Sequence, residues 1–77
     1  MTSIEIQVEL FGHLRVGREA LQVVHLVHAV TAQQLALQLG LNPDEVGLVV
    51  INGIQTEIEE MVFQDCRICF FPPLSGG

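Results

Sequence analysis

The stretch VTAQQLALQLG, residues 30–40, carries the signals of a single amphipathic helix and organises the sequence on either side of it. Thr31 and Gln34 have the spacing of a capping box, in which the side chain of each residue accepts a hydrogen bond from the backbone N–H of the other. Gly40 suits the left-handed conformation that follows many helices. Apolar residues recur at helical spacing, at Ala32, Leu35, Ala36 and Leu39. One helix, capped by Thr31 and ended at Gly40, is therefore predicted.

Two strands are predicted before this helix. From Ile4 to Leu10 apolar residues alternate with Glu and Gln, which is the period of a strand with one buried face. Leu21 to Leu26 is rich in β-branched residues and follows a polar, Gly-containing turn from Gly12 to Glu19, so the two strands are expected to form a hairpin. Val27 to Val30 is interpreted as a plain connection to the helix.

After the helix, the sequence predicts a helical turn and a second hairpin. Asn42 to Glu45 contains a proline at a position that suits the first turn of a helix. Leu48 to Ile51 is an apolar strand, and Asn52-Gly53 is a pair typical of a type I′ turn. Ile54 to Ile58 is predicted as a short return strand.

The last predicted strand runs from Cys66 to Phe71 and is ended by Pro72-Pro73, since neither proline can donate to a strand ladder. The segment from Glu59 to Asp65 is interpreted as a connection whose apolar residues fill the core, namely Met61, Val62 and Phe63. This order of elements predicts an α+β fold, a mixed sheet of four to five strands packed on one main helix. Residues 1–73 are expected to form the domain and residues 74–77 a flexible tail.

Composition narrows the classes of partner. The 77-residue chain has a net charge of −6, and its only cations besides histidine are three arginines. Nucleic-acid binding is not expected, because it needs clustered cations; an acidic surface suits a basic protein partner. No membrane association is expected either, since no run approaches the roughly 20 apolar residues of a membrane span. The start lacks a signal-peptide pattern, so a cytoplasmic location is predicted.

One face of the predicted sheet should remain uncovered, because a single helix covers only the other. Leu48 to Ile51 and Ile68 to Phe71 are apolar at both odd and even positions. We therefore expect side chains such as Val49, Ile51 or Phe71 on the uncovered face, where an apolar patch favours a partner surface.

The chain ends in Leu74-Ser75-Gly76-Gly77, directly after the two prolines. Such a segment has no apolar periodicity and is expected to be flexible. Two glycines place the terminal carboxylate on a chain without side chains, which can bend freely and enter a narrow channel. The tail is thus suited to presenting its carboxylate inside the active site of another protein.

The ending FFPPLSGG, residues 70–77, resembles that of the small subunit of molybdopterin synthase, the MoaD type of the MoaD/ThiS family of ubiquitin-like sulfur carriers. Residues 10–15, LFGHLR, resemble the end of that family's first strand, and Asn52-Gly53 stands at its turn. Asp65-Cys66 departs from the Gly-Asp that the family often has there. The resemblance implies a β-grasp (ubiquitin-like) fold for the chain.

The resemblance also implies a sulfur-transfer cycle. A MoeB/ThiF-type enzyme would use ATP to adenylate the carboxylate of Gly77, and a sulfur donor protein would convert it to a thiocarboxylate. The tail would then enter a large, MoaE-type subunit and donate sulfur to a pterin precursor. Gly76 would permit threading, Phe71 would dock the partners, and the path of the tail would depend on Pro72, Pro73, Leu74 and Ser75. The chain itself would have no active site and would bind no cofactor or metal.

Four alternatives share the same sequence features. A ThiS-type carrier for thiazole synthesis has the same tail, as would a carrier for a tungsten cofactor. A ubiquitin-like modifier could be joined to lysines of other proteins. A binding module could use the sheet alone and leave the tail idle.

The CxxC spacing of Cys66 and Cys69 is interpreted as structural. Residues three apart on a strand face opposite sides and lie about 10 Å apart, beyond the roughly 7 Å limit for the Cα atoms of a disulfide. We expect a buried Cys66 and a surface Cys69, with no metal or redox role. The three histidines have no ligand partners at suitable spacing and are expected to be ordinary surface residues, at His13, His25 and His28.

Overall fold

The computed structural model describes residues 3–74 of the chain, so Ser75, Gly76 and Gly77 lie outside the described residues. One α-helix, α1, spans Ala32–Gln38, and two short 3₁₀ helices span Gly12–Arg15 and Pro43–Glu45. The strands are β1 Ile4–Leu10, β2 Leu21–Leu26, β3 Val30–Thr31, β4 Leu48–Ile51, β5 Ile54–Thr56, β6 Met61–Val62 and β7 Cys66–Phe71.

The predicted capping box of α1 is confirmed. The backbone N–H of Gln34 donates to Thr31 Oγ1 at 3.0 Å, and the backbone N–H of Thr31 donates to Gln34 Oε1 at 2.8 Å. These bonds satisfy two of the donors that the first turn of a helix leaves unpaired. Gly40, with φ of +83°, follows the helix in the left-handed conformation that its lack of a side chain allows.

The main sheet has five strands in the order β2-β1-β7-β4-β5. The central β1 and β7 run parallel, whereas the outer pairs β1–β2, β4–β7 and β4–β5 are antiparallel. A mixed sheet of this order, packed on one helix, is the β-grasp (ubiquitin-like) fold, and the α+β prediction is confirmed.

The alternation of β1 places its apolar side chains in the core as predicted. Three side chains of β1 are at most 1% exposed, namely Ile6, Val8 and Leu10. They belong to the same buried cluster as Leu35 of α1 and Phe70 of β7. The opposite side chains of β1 are acidic or polar and face away from the helix. The core therefore lies between the sheet and α1.

The Asn52-Gly53 turn is of type I′, since both residues have positive φ, +51° and +83°. The turn is also fixed to β7, because Asn52 N donates to Arg67 O and Arg67 N donates to Asn52 Oδ1, each at 2.9 Å. The strand that follows, β5, ends at Thr56 and not at the predicted Ile58.

A second, two-stranded sheet was not predicted. Val30 and Thr31 form β3, which pairs antiparallel with Met61 and Val62 of β6. The two segments predicted as connections, Val27 to Val30 and Glu59 to Asp65, therefore each contribute to a strand. The expectation that Met61 and Phe63 fill the core is wrong, since they are 46% and 62% exposed. Only Val62 is buried, because alternate side chains of an extended segment point to opposite sides.

The segment from Gly12 to Glu19 also contains more structure than the predicted turn. Gly12–Arg15 forms a 3₁₀ helix, and its Leu14 is 1% exposed. Through this buried leucine, the segment packs against the core. Among the described residues, no helix has the length and apolar character needed to cross a membrane.

Candidate functional site at the base of the tail

One face of β7 packs toward the helix, and the other lies on the uncovered side of the sheet. Ile68 and Phe70 are fully buried toward the helix, whereas Arg67 and Phe71 point to the uncovered face. In the register with β4, Val49 lies beside Phe70 and Ile51 beside Ile68, so both β4 residues face the helix. Of the three residues named as candidates for the uncovered face, only Phe71 lies there; the expectation for Val49 and Ile51 is wrong.

An apolar patch lies on the uncovered face where β7 ends, and we call it the tail-base patch. Its residues are half-buried, and they are Phe11, Leu48, Val50, Cys69 and Phe71. The rings of Phe11 and Phe71 stack with centroids 4.3 Å apart and planes within 9°. Leu48 and Val50 lie beside Phe71 and Cys69 in the β4–β7 register. This stacked, uncharged surface can be desolvated by a partner at little electrostatic cost.

The sequence did not single out Phe11 and Leu48 as members of this patch. A signal was present for Phe11, because it continues the alternation of β1 by one residue beyond the buried Leu10. Leu48 could be assigned only with the β4–β7 register, which joins residues that are distant in sequence.

The strand that leads into the tail, β7, is hydrogen-bonded to neighbouring segments on both sides as far as its last residue, Phe71. Phe11 N donates to Phe70 O at 3.1 Å, and Gly47 N donates to Phe71 O at 2.8 Å. Pro72 is half-buried and Pro73 is exposed, while the side chain of Leu74 is 98% exposed. The predicted tail residues Ser75, Gly76 and Gly77 are outside the described range.

A polar band of Glu9, Arg67, Glu5 and His25 lies beside the tail-base patch on the uncovered face. Arg67 forms an ion pair with Glu9, and this hydrogen-bonded carboxylate raises the pKa of the guanidinium. His25 Nε2 lies 3.5 Å from Glu5 Oε1 in the same band. The acidic side chains Glu5 and Glu9 of β1 therefore have basic neighbours. Leu21 and Val23 of β2, which are 67% and 56% exposed, lie on the same face beside Glu9 and Gln7.

The two cysteines lie on opposite faces of β7, and both are half-buried free thiols. The expected burial of Cys66 and exposure of Cys69 are therefore both corrected. Cys66 packs against the edge of the core, whereas Cys69 is covered in part by its strand neighbours Glu9 and Val50. Within residues 3–74, no three side chains of the metal-binding types are gathered closely enough to hold an ion.

Cys66 is expected to alkylate more slowly in the folded chain than in the denatured chain. Burial, and to a smaller degree the charge of Asp65, raises its pKa and so lowers the fraction of reactive thiolate at neutral pH. The rate can be measured by mass spectrometry with iodoacetamide on a Cys69→Ser variant, in which Cys66 is the only thiol. Equal rates in buffer and in urea would contradict the position of Cys66 against the core.

The fold and the site together define a class: a β-grasp domain whose last described strand, β7, runs through an apolar surface and continues to the exposed Leu74. No protein-family model and no curated protein matches the chain. Solved structures do match it. The HVO 2177 protein of Haloferax volcanii, known from its solution structure, superposes with a TM-score of 0.72 at 17% identity, covering 97% of this chain and 88% of that one.

A second similar structure carries a functional description. A Pyrococcus furiosus protein described as a candidate molybdopterin converting factor, subunit 1, superposes with a TM-score of 0.69 at 16% identity. The match covers 94% of this chain and 100% of that one. At these identities the likeness concerns the fold.

Proposed function

We propose that the chain is a sulfur carrier of the MoaD type, in which residues 1–73 form the β-grasp domain and residues 74–77 the working tail. Gly77 carries the adenylate and then the thiocarboxylate, and Gly76 lets the tail pass through a narrow channel. The sulfur serves molybdopterin synthesis, for a molybdenum or tungsten cofactor. The carrier is cytoplasmic, has no active site of its own and binds no cofactor, and ATP is consumed by its activating enzyme.

The observation that carries this proposal is the position of the tail-base patch. Phe71 is the last residue of β7, and its ring is stacked on Phe11 beside the exit of the tail. A partner that covers this surface is thereby placed next to Pro72 and Pro73, from which the tail continues. The Gly-Gly ending and the similarity to a candidate molybdopterin converting factor subunit support the same conclusion.

The chemistry follows from the terminal carboxylate. A carboxylate is a poor acyl donor, and adenylation gives it a good leaving group. The covalent adenylate divides one difficult acyl transfer into two easier steps. Attack by the terminal sulfur of a donor persulfide expels AMP and leaves an acyl disulfide between carrier and donor. A thiol then attacks the donor-side sulfur of that S–S bond, forms a disulfide with the donor and releases the thiocarboxylate, whose sulfur is nucleophilic. The MoeB/ThiF-type enzyme and the MoaE-type subunit dock in turn on Phe71, while Pro72, Pro73, Leu74 and Ser75 lead the tail into their active sites.

Intact-mass analysis tests this function. The chain is incubated with a MoeB-type activating enzyme, ATP and a sulfur donor, and the expected product differs by the replacement of one oxygen by sulfur at Gly77. Omitting ATP should leave the mass unchanged. An adduct linked to lysines of other proteins, with no thiocarboxylate, would favour a ubiquitin-like modifier. Sulfur delivery only with thiazole-forming enzymes would favour the ThiS-type alternative.

A further inference from the structure

Two glycines touch the prolines at the start of the tail, and the first is Gly47. A Cβ atom at this position would lie 2.3 Å from Pro73 Cα and 2.7 Å from Pro73 N, closer than side-chain carbons approach other atoms. The φ of Gly47 is outside the left-handed region, so its backbone conformation is open to other residues. The close approach of the Pro72-Pro73 backbone is therefore what requires glycine here.

The second glycine is Gly12. Its Cβ would lie 2.7 Å from Pro72 Cγ and 3.3 Å from Pro72 Cδ, and its φ is +59°. Gly12 follows β1 and Gly47 precedes β4, the two strands that flank β7 in the sheet. The prolines that continue β7 thus lie between two glycines, and the absence of side chains on both sides makes room for them.

Resting on the proposed function, we infer that Gly12 and Gly47 are positioning residues: they fix the direction in which the tail leaves the tail-base patch. The argument depends on length. The four residues 74–77 span at most about 14 Å when extended. With so short a reach, a change in the direction of the two prolines displaces the terminal carboxylate by a large fraction of the tail's length.

The expected consequence concerns turnover and not docking. Neither glycine belongs to the buried core, and Pro73 is exposed, so shifting the prolines leaves the packed interior unchanged. The reacting carboxylate, in contrast, must reach the activating enzyme's nucleotide with an accuracy of about 1 Å, and misplacement by that amount can cost about a hundredfold in rate.

The test is Gly47→Ala, assayed with the cognate activating enzyme by ATP–pyrophosphate exchange. We expect kcat for adenylation to fall at least about tenfold, with a calorimetric Kd for docking within about twofold of the parent chain. Gly17→Ala is the control for loss of a glycine without contact, and its positive φ matches that of Gly12. Gly17 has a φ of +72° and no atom within 4 Å of its would-be Cβ, so this change introduces backbone strain without contact. It should leave kcat unchanged.

A rescue experiment separates the two contacts. The Cβ added by Gly12→Ala meets the Cγ and Cδ ring atoms of Pro72. Pro72→Ala removes both of these atoms and keeps only Cβ of residue 72, which lies at an ordinary 3.9 Å. Combining Gly12→Ala with Pro72→Ala should therefore restore kcat to that of Pro72→Ala alone. Gly47→Ala meets the backbone of the prolines, so Pro72→Ala should not rescue it.

The outcomes distinguish this inference from the proposed function. If the parent chain is not adenylated, the proposed function is wrong and the positioning role falls with it. If the parent is adenylated and Gly47→Ala has the same kcat, the positioning inference alone is wrong. An increase in Kd that accounts for the whole loss of activity would also overturn it, because the glycines would then support only the docking surface.

Discussion

Replacing Phe71 with glutamate is expected to weaken binding to the activating enzyme and to the MoaE-type subunit by at least about a hundredfold, without unfolding the domain. The side chain of Phe71 is half-buried on the uncovered face and stacks on Phe11. A carboxylate in its place would be desolvated in the complex without a partner charge, at a cost of several kcal/mol; about 2.7 kcal/mol corresponds to a hundredfold in Kd. Calorimetry measures the binding, and circular dichroism the fold.

The neighbouring Phe70 provides the matched control. Its side chain is 0% exposed and faces the helix, so Phe70→Ala should cost about 3–5 kcal/mol. A small domain has a total stability of about 5 kcal/mol at the low end of the usual range. Phe70→Ala is therefore expected to unfold a large fraction of the chain, whereas Phe71→Glu is not. Unfolding by Phe71→Glu would contradict the assignment of the faces, and normal binding by a folded variant would exclude docking through the patch.

Elements with local signals were predicted well from the sequence. The capping box of α1 needs only Thr31 and Gln34, and the type I′ turn needs only Asn52 and Gly53. The alternation of β1 likewise identifies its buried face within seven residues. In each case the residues that decide the structure lie within one turn or one strand of each other.

Features that depend on distant segments were missed. The β3–β6 pairing joins Thr31 to Met61, thirty residues apart, and each strand has only two residues. Such short strands have no periodicity to detect, and without the pairing Met61 and Phe63 look like core residues. The face of each β4 side chain was undetermined for the same reason, because the strand is apolar at every position and its register with β7 decides the matter.

The candidate site shows the same division. Phe71, Pro72 and Pro73 were named as candidates because the last strand and the two prolines after it form a local pattern. Gly12 and Gly47 were not, since a glycine's importance there comes from the atoms that another segment brings to within 3 Å of its would-be Cβ. In the sequence alone, both residues look like ordinary loop glycines.

Deleting Gly76 and Gly77 is expected to produce the opposite effect to Phe71→Glu: adenylation falls below detection while docking persists. Loss of two residues shortens the tail by about 7 Å. Reacting atoms must come within about 3–3.5 Å of each other, so the new terminal carboxylate cannot reach the nucleotide from a docked domain. The tail-base patch is unchanged, and its binding should therefore remain within about twofold of the parent chain. Pyrophosphate exchange and calorimetry on the same preparation measure the two quantities.

A length-matched variant separates reach from threading. Replacing both glycines with alanine keeps the carboxylate at the same distance along the chain but adds two methyl groups and restricts φ. If only reach matters, the Ala-Ala tail will be adenylated normally; if the tail passes through a narrow channel, its kcat will fall while Kd stays unchanged. Adenylation of the shortened chain at the parent rate would contradict the role of Gly77 itself, because the terminal carboxylate of Ser75, or a carboxylate of another residue, would then react equally well.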